Sequence, residues 1–255
     1  MIDVDYDFRK DCNKRECKKD GCMEKCKDAC HRDTKIDDYS GTLRDYHREL
    51  WSRALPNGKD FQLNKSERKS LCHYSEELGK FSLSSDSIAH TYFHSGLPEV
   101  KYVKKMGPEI KEFMDIACTM GGFIIGPKGK GRSFNQERGF SKTKDRFDLA
   151  LDCIRIYYKN KGFSPLSEAI SRYSDFFDLF VDFKGYVDFF FLNDLVKDDY
   201  SEIKPFLPNT RSPLPLDKEE YSTYKENVML FVKNRNERIK KWIGKGAPGI
   251  ESCNQ

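Results

Sequence analysis

The sequence predicts one α+β domain, mainly helical with a small sheet. Three observations carry this. Apolar residues recur at helical spacing in several long segments. From about Asp145 to Tyr158, for example, Phe147, Leu151, Ile154 and Tyr158 fall at i, i+4, i+7 and i+11, one apolar stripe. A few short runs instead read as strands: Ile2 to Phe8, Phe61 with Leu63, Phe81 with Leu83, and Phe123-Ile124-Ile125. Finally, no internal repeat and no clean linker divides the 255 residues. The expected organisation is an N-terminal strand and cysteine-rich insert over residues 1–38. One globular α+β domain follows over 39–243, then a flexible tail over 244–255.

Composition sets limits on function. Hydrophobic residues make up 38% of the chain and charged residues 34%, but aromatics reach 13%. Large rings build a core from fewer residues, so a folded chain is expected. A formal charge of +4 is too mild to imply nucleic-acid binding by itself. No run approaches the roughly eighteen apolar residues of a membrane span. The N-terminus lacks an apolar signal segment, so a cytoplasmic protein with mostly reduced thiols is expected.

Along the chain, Cys12, Cys17, Cys22, Cys26 and Cys30 crowd beside His31. Thiolates this close can hold zinc or an iron–sulfur cluster. No C-x2-C pair is present, and disulfides or free thiols on a solvated insert are the favoured reading. Thr42 with Asp45 has capping-box spacing. Ser84-Ser85-Asp86 can cap a short helix running toward His94. Pro108 opens a helix that Gly121-Gly122 ends. The aromatic run from Phe176 to Phe191 predicts the core of a helical half. Four prolines over 204–217 predict an extended loop. Asp217 caps a last helix whose inner stripe is Tyr221, Tyr224, Val228, Phe231 and Val232.

Several phrases share a family resemblance. TLRDYHRELWSRALPNGKDFQL, LGKFSLSSDSI, FNQERGF, DRFDLALDCIRIYY and DFFDLFVDFKGYVDFFFLNDLV resemble, in the family's order, an uncharacterised bacterial protein family, a domain of unknown function, and the resemblance spans about Tyr39 to Ile239. The resemblance implies no activity. In the family pattern the loop before FNQERGF is not glycine-rich and the cysteine cluster is absent. Both are peculiarities of this chain. Two arginines usually stand where this chain has Arg155-Ile156.

Three stretches are candidates for chemistry. Gly126 to Ser133 is one residue from a phosphate-binding G-x-x-x-x-G-K-[ST] loop, with Arg132 in the lysine position. Phe134-Asn135-Gln136 reads as loop or a late cap, so a surface hairpin is the favoured reading. His90-x3-His94 would present two imidazoles to one metal on a helix, but no third ligand accompanies it, and no metal is assigned. The third is a polar set. Arg138 and Arg146 would hold phosphate, Asn135 would orient the substrate, and Asp86 would contribute to binding. His73 or Asp148 would handle a proton.

The leading expectation is an enzyme acting on a phosphate-bearing substrate, a nucleotide or nucleic acid, with no cofactor identified. The alternative is a non-catalytic interaction protein in which the same residues form a structural salt-bridge network and the basic loop and C-terminal helix meet a protein partner. Convergence of His73, Asp86, Asn135, Arg138 and Arg146 on one pocket favours the first. Burial as pairs favours the second.

Overall fold

Alternation in the β-segments is resolved into two small antiparallel sheets in the computed structural model, which describes residues 2–11, 36–65, 71–160, 162–208 and 212–245. The strands are β1 (Arg53–Ala54), β2 (Asp60–Phe61), β3 (Asn64–Lys65), β4 (Leu71–Ser75), β5 (Gly79–Ser87) and β6 (Phe123–Lys128). β1 pairs with β2, and the larger sheet has the order β3-β4-β5-β6. β5 is its spine: Leu83 lies opposite Leu71 on one side and Pro127 on the other. Phe81, Leu83 and Ser85 point inward while Ser82, Ser84 and Asp86 take the other face.

Nine α-helices surround this sheet among the described residues. They are α1 (Ile36–Tyr39), α2 (Gly41–Trp51), α3 (Pro108–Ala117), α4 (Phe134–Phe140), α5 (Phe147–Tyr158), α6 (Ser167–Arg172), α7 (Ser174–Phe177), α8 (Phe183–Phe189) and α9 (Lys218–Gly244). None is long and apolar enough to cross a membrane. The fold is α+β and mainly helical, as the sequence predicts. The predicted aromatic core is also found: Phe176, Phe177, Phe180, Phe183, Tyr186, Phe189 and Phe190 are all buried. So is every residue of the predicted stripe on α9.

The long α9 is fixed to the sheet by backbone contacts. Arg235 is fully buried, and its guanidinium donates to the carbonyls of Phe190, Gly121 and Phe123 at 3.0, 2.9 and 2.7 Å. Gly121 permits this approach, since a Cβ there would lie 2.4 Å from the Val232 carbonyl oxygen. Asp217 caps α9 through the amides of Glu219 and Glu220, as expected.

Four local expectations change. Residues 2–8 form no strand; a turn leads into a 3₁₀ helix at Phe8–Asp11, and Ile2, Val4 and Phe8 are buried as core. Tertiary contacts decide this, with the Phe8 amide bonded to the Cys118 carbonyl and Met120 to Val4. Ser84-Ser85-Asp86 cap no helix. They continue β5, where pairing with Gly126, Ile125 and Ile124 outweighs local capping. Thr42 and Asp45 make no capping box. Ser40 caps α2 through the Leu43 amide, and Asp45 pairs with Arg48. Phe134-Asn135-Gln136 is helical. Ser133 and Gln136 form a full capping box that starts α4 at once. The cluster Cys12, Cys17, Cys22, Cys26 and Cys30, with His31 and Cys253, lies outside the described residues.

Candidate functional site

The outer face of β5, the helix α4 and the turn between α4 and α5 enclose a cleft of about 690 Å3. Ser84, Asp86, Lys128, Asn135, Asp145 and Asp37 are among its lining residues. A smaller cavity of about 260 Å3 lies behind it, shares Asp37, Asp86 and Asp145, and adds His90 and His94. The three carboxylates therefore form a common wall.

Arg138 builds that wall. It is 1% exposed, and its Nη1 donates to Asp86 Oδ2 at 2.7 Å. Its Nη2 donates to the carbonyls of Ser87 and Asp145 at 3.0 and 3.1 Å. The Arg138 carbonyl in turn accepts from Thr143 Oγ1 and the Asp145 amide. This clamp holds Lys144 and Asp145 at φ of 51° and 62°, the left-handed region. A side chain pays strain there, less so for Asp than for most residues. Gly139 leaves room for the Asp145 carboxylate, which would sit 3.1 Å from a Cβ at that position.

Asp86 keeps 24% of its side chain exposed. Burial raises its pKa above the usual carboxylate value, Asp145 adds to the rise, and Arg138 opposes both. A carboxyl with raised affinity for a proton at the wall of a cleft is suited to acid–base work. Asn135 also reaches the cleft, but its Nδ2 is committed to β5, donating to Ser84 Oγ at 3.0 Å and to the Ser84 carbonyl at 3.2 Å. It braces α4 against the strand.

Arg146 and Asp148 do not join this cleft. They are 1% and 0% exposed and bond to each other in a two-pronged pair, with Nε to Oδ1 at 2.7 Å. Arg146 lies outside the helix as the N-cap of α5, which lets it fold back onto Asp148 two residues on. The remaining bonds reach the proline-rich segment: Arg146 Nη1 donates to the Pro213 carbonyl, and Asp148 accepts from the Phe206 amide. The pair is a strut between α5 and residues 206–213. His73 is also elsewhere. It is 2% exposed and stacked on Phe61 at 4.5 Å, with Nε2 at Ser75 Oγ and Nδ1 at the Gln62 backbone.

The glycine-rich stretch has a shorter loop than a phosphate-binding G-x-x-x-x-G-K-[ST] segment calls for. β6 runs on through Lys128, leaving a turn of Gly129 to Arg132 before the Ser133 cap. Lys130 pairs with Asp175, while Arg132 meets Glu137 and lies over the Phe140 ring. His90 and His94 sit on an irregular segment, so helical i, i+4 spacing does not apply to them. Among the described residues no three His, Cys, Asp or Glu are placed to share a metal ion.

A buried relay lies beneath the cleft. Trp51 Nε1 donates to His47 Nδ1 at 2.9 Å, so the His47 proton is on Nε2 and points to Ser85 Oγ at 2.8 Å. That polarity is wrong for activating Ser85, because the imidazole offers a proton instead of accepting one. Sequence reasoning missed Asp37, Lys128 and Asp145 as lining residues. The sequence pattern puts Asp145 at the start of the helix, and the left-handed turn that frees it has no periodic signature.

Residues 2–239 match the model of a family of unknown function, DUF6994. The chain belongs to that family. The matched span takes in the buried N-terminal residues as well as most of α9, so it covers both ends of the described core. No curated protein and no solved structure matches the chain.

Proposed function

We propose that this DUF6994 member is an enzyme acting on a small phosphate-bearing substrate, such as a nucleotide, held in the Asp86 cleft. The observation that carries the reading is the make-up of that cleft. Carboxylates at Asp86 and Asp145 suit hydroxyl or amino groups, and Lys128 is the one cation among the lining residues. Lys128 takes over the phosphate-binding role first expected of Arg138 and Arg146, whose guanidinium groups are sealed. Asp86 is the proton-handling group, and the Phe140 ring, 73% exposed at the cleft edge, is a platform for a flat base.

A second reading has its own support. Arg146–Asp148 is a buried pair, and Arg138 is likewise buried behind Asp86, the pattern of a structural salt-bridge network in an interaction protein.

Thermal melting with a mononucleotide, its nucleoside and inorganic phosphate separates the two. Binding to the native state raises Tm, by about 2.7 kcal/mol of stability at a hundred times Kd. The mononucleotide is expected to give the largest shift. Lys128→Ala should reduce its shift to that of the nucleoside, and Asp86→Asn should remove turnover while leaving binding. No shift with any phosphate compound, or a shift that Lys128→Ala leaves unchanged, favours the interaction protein.

A further inference from the structure

A third cavity, of about 600 Å3, opens beside the aromatic segment. Arg53, Pro56, Val181, Phe189, Phe191 and Trp242 line it, with Lys184, Asp182 and Asp188. Arg53 is its unusual member. The guanidinium carbon lies 4.4 Å from the Phe189 ring centre, 4.6 Å from Phe191, 4.8 Å from Trp242 and 5.5 Å from Trp51. Its one hydrogen bond goes to the Phe189 carbonyl, and Nε is buried with no partner. No carboxylate among the described residues pairs with it. Burial without a counter-charge pushes its pKa down to about 10.

The other charges at the rim are already committed. Asp188 accepts from Lys184, Asn193 and Tyr200, and Asp182 accepts from the Gly185 amide as the cap of α8. Arg53 is therefore the one cation of the cavity without a carboxylate partner. The rim also holds Val181 at φ 70° and Phe191 at φ 55°. Val181 is β-branched and 61% exposed, so this strained backbone presents an apolar side chain to open space without burying it.

We propose that this cavity binds a small aromatic monocarboxylate, its carboxylate on the Arg53 guanidinium and its ring among Phe189, Phe191 and Trp242. The guanidinium fork matches a carboxylate in two-pronged geometry. A single negative charge matches the single uncompensated cation, whereas a phosphate dianion would bring a second charge toward Asp182 and Asp188. The apolar and aromatic walls suit a flat hydrocarbon body. This site is independent of the Asp86 cleft.

The chain's two tryptophans, Trp51 and Trp242, both stack on Arg53, so intrinsic fluorescence reports on this site. The full chain is titrated with benzoate and phenylacetate, and with benzamide and phenylacetamide as neutral counterparts. A saturable change is expected with the acids, at least about tenfold weaker with the amides, as the loss of a charge-assisted bond requires. Arg53→Gln should weaken the acids by a similar factor, while Lys128→Ala in the other cleft should leave them unchanged. If Arg53→Gln does not fold, Trp242→Leu, on the cavity wall, must weaken binding instead. Equal affinity for acids and amides, no saturable change with either acid, or full affinity in the wall variants would overturn the proposal.

Discussion

His47 is held neutral in the core. Burial, with Arg235 and Arg48 adding to it, lowers its pKa from 6.5 to about 3. Between those values the unfolded chain carries a proton that the folded chain excludes. The unfolded state then binds more protons, so stability rises with pH and falls as the medium is acidified from 6.5 toward 3. The slope is up to about 1.4 kcal/mol per pH unit. Urea denaturation at pH 7 and pH 5 should show a loss of roughly 2 kcal/mol from this group. His47→Gln should be less stable at pH 7 but lose correspondingly less on acidification; parallel pH profiles for the two proteins would disprove the assignment. Single residues like this were the least legible part of the sequence. Nothing local marks His47 as buried, because its partners are Trp51 one turn away and Ser85 on another element. For the same reason nothing near His73 in the sequence marks it as the stacked core residue it is. The sequence offers Arg146 to phosphate and Asp148 to a proton, whereas the cap position of Arg146 makes each the other's buried partner.

Helices with long apolar stripes were legible, because burying one face leaves a period in the sequence. α5 and α9 show it over three or more turns, and Phe176 to Phe190 shows it by sheer ring density. The seven residues of α4 are too short for such a period. Their helicity comes from the Ser133–Gln136 cap and from Phe134 packing edge-on against Phe177 at 5.2 Å. This was also why most of the cleft was illegible: α4 supplies one of its walls. The aromatic elements have a direct test. Phe180 is fully buried, with Phe189, Tyr186, Phe190 and Phe176 centred 5.1, 5.2, 5.2 and 5.4 Å away. Phe180→Ala is expected to cost about 3–5 kcal/mol, a large part of the roughly 5–15 kcal/mol that holds a domain together. Phe163→Ala, at a ring 82% exposed, should stay within about 0.5 kcal/mol of the parent. Chemical denaturation midpoints compare the two, and similar midpoints would contradict the placement of the core.

At the scale of the molecule, Asp11 and Ser40, on either side of residues 12–35, are joined directly. Asp11 Oδ2 accepts from Ser40 Oγ at 2.6 Å and from the Thr42 amide at 3.0 Å. Ser40 stands one helical turn beyond Ile36, to which its amide is bonded. Adding the Asp and Ser side chains, the bond between them and that turn puts the Cα atoms of Asp11 and Ile36 within roughly 15 Å. Residues 32–35 alone span up to about 17 Å when extended, with five Cα–Cα steps available. The segment carrying the cysteines can therefore be shortened without stretching the core. Deleting residues 12–31 is expected to leave a cooperative melt near the original Tm, because closing a shorter loop costs less entropy. Deleting residues 2–8 should instead destabilise the protein strongly, since Ile2, Val4 and Phe8 are core residues within the family's matched span. Calorimetry on the two truncations, with metal analysis of the full chain, decides the matter. Loss of folding on removing 12–31, or one zinc per chain in protein purified without added metal, would make the cysteine segment part of the fold.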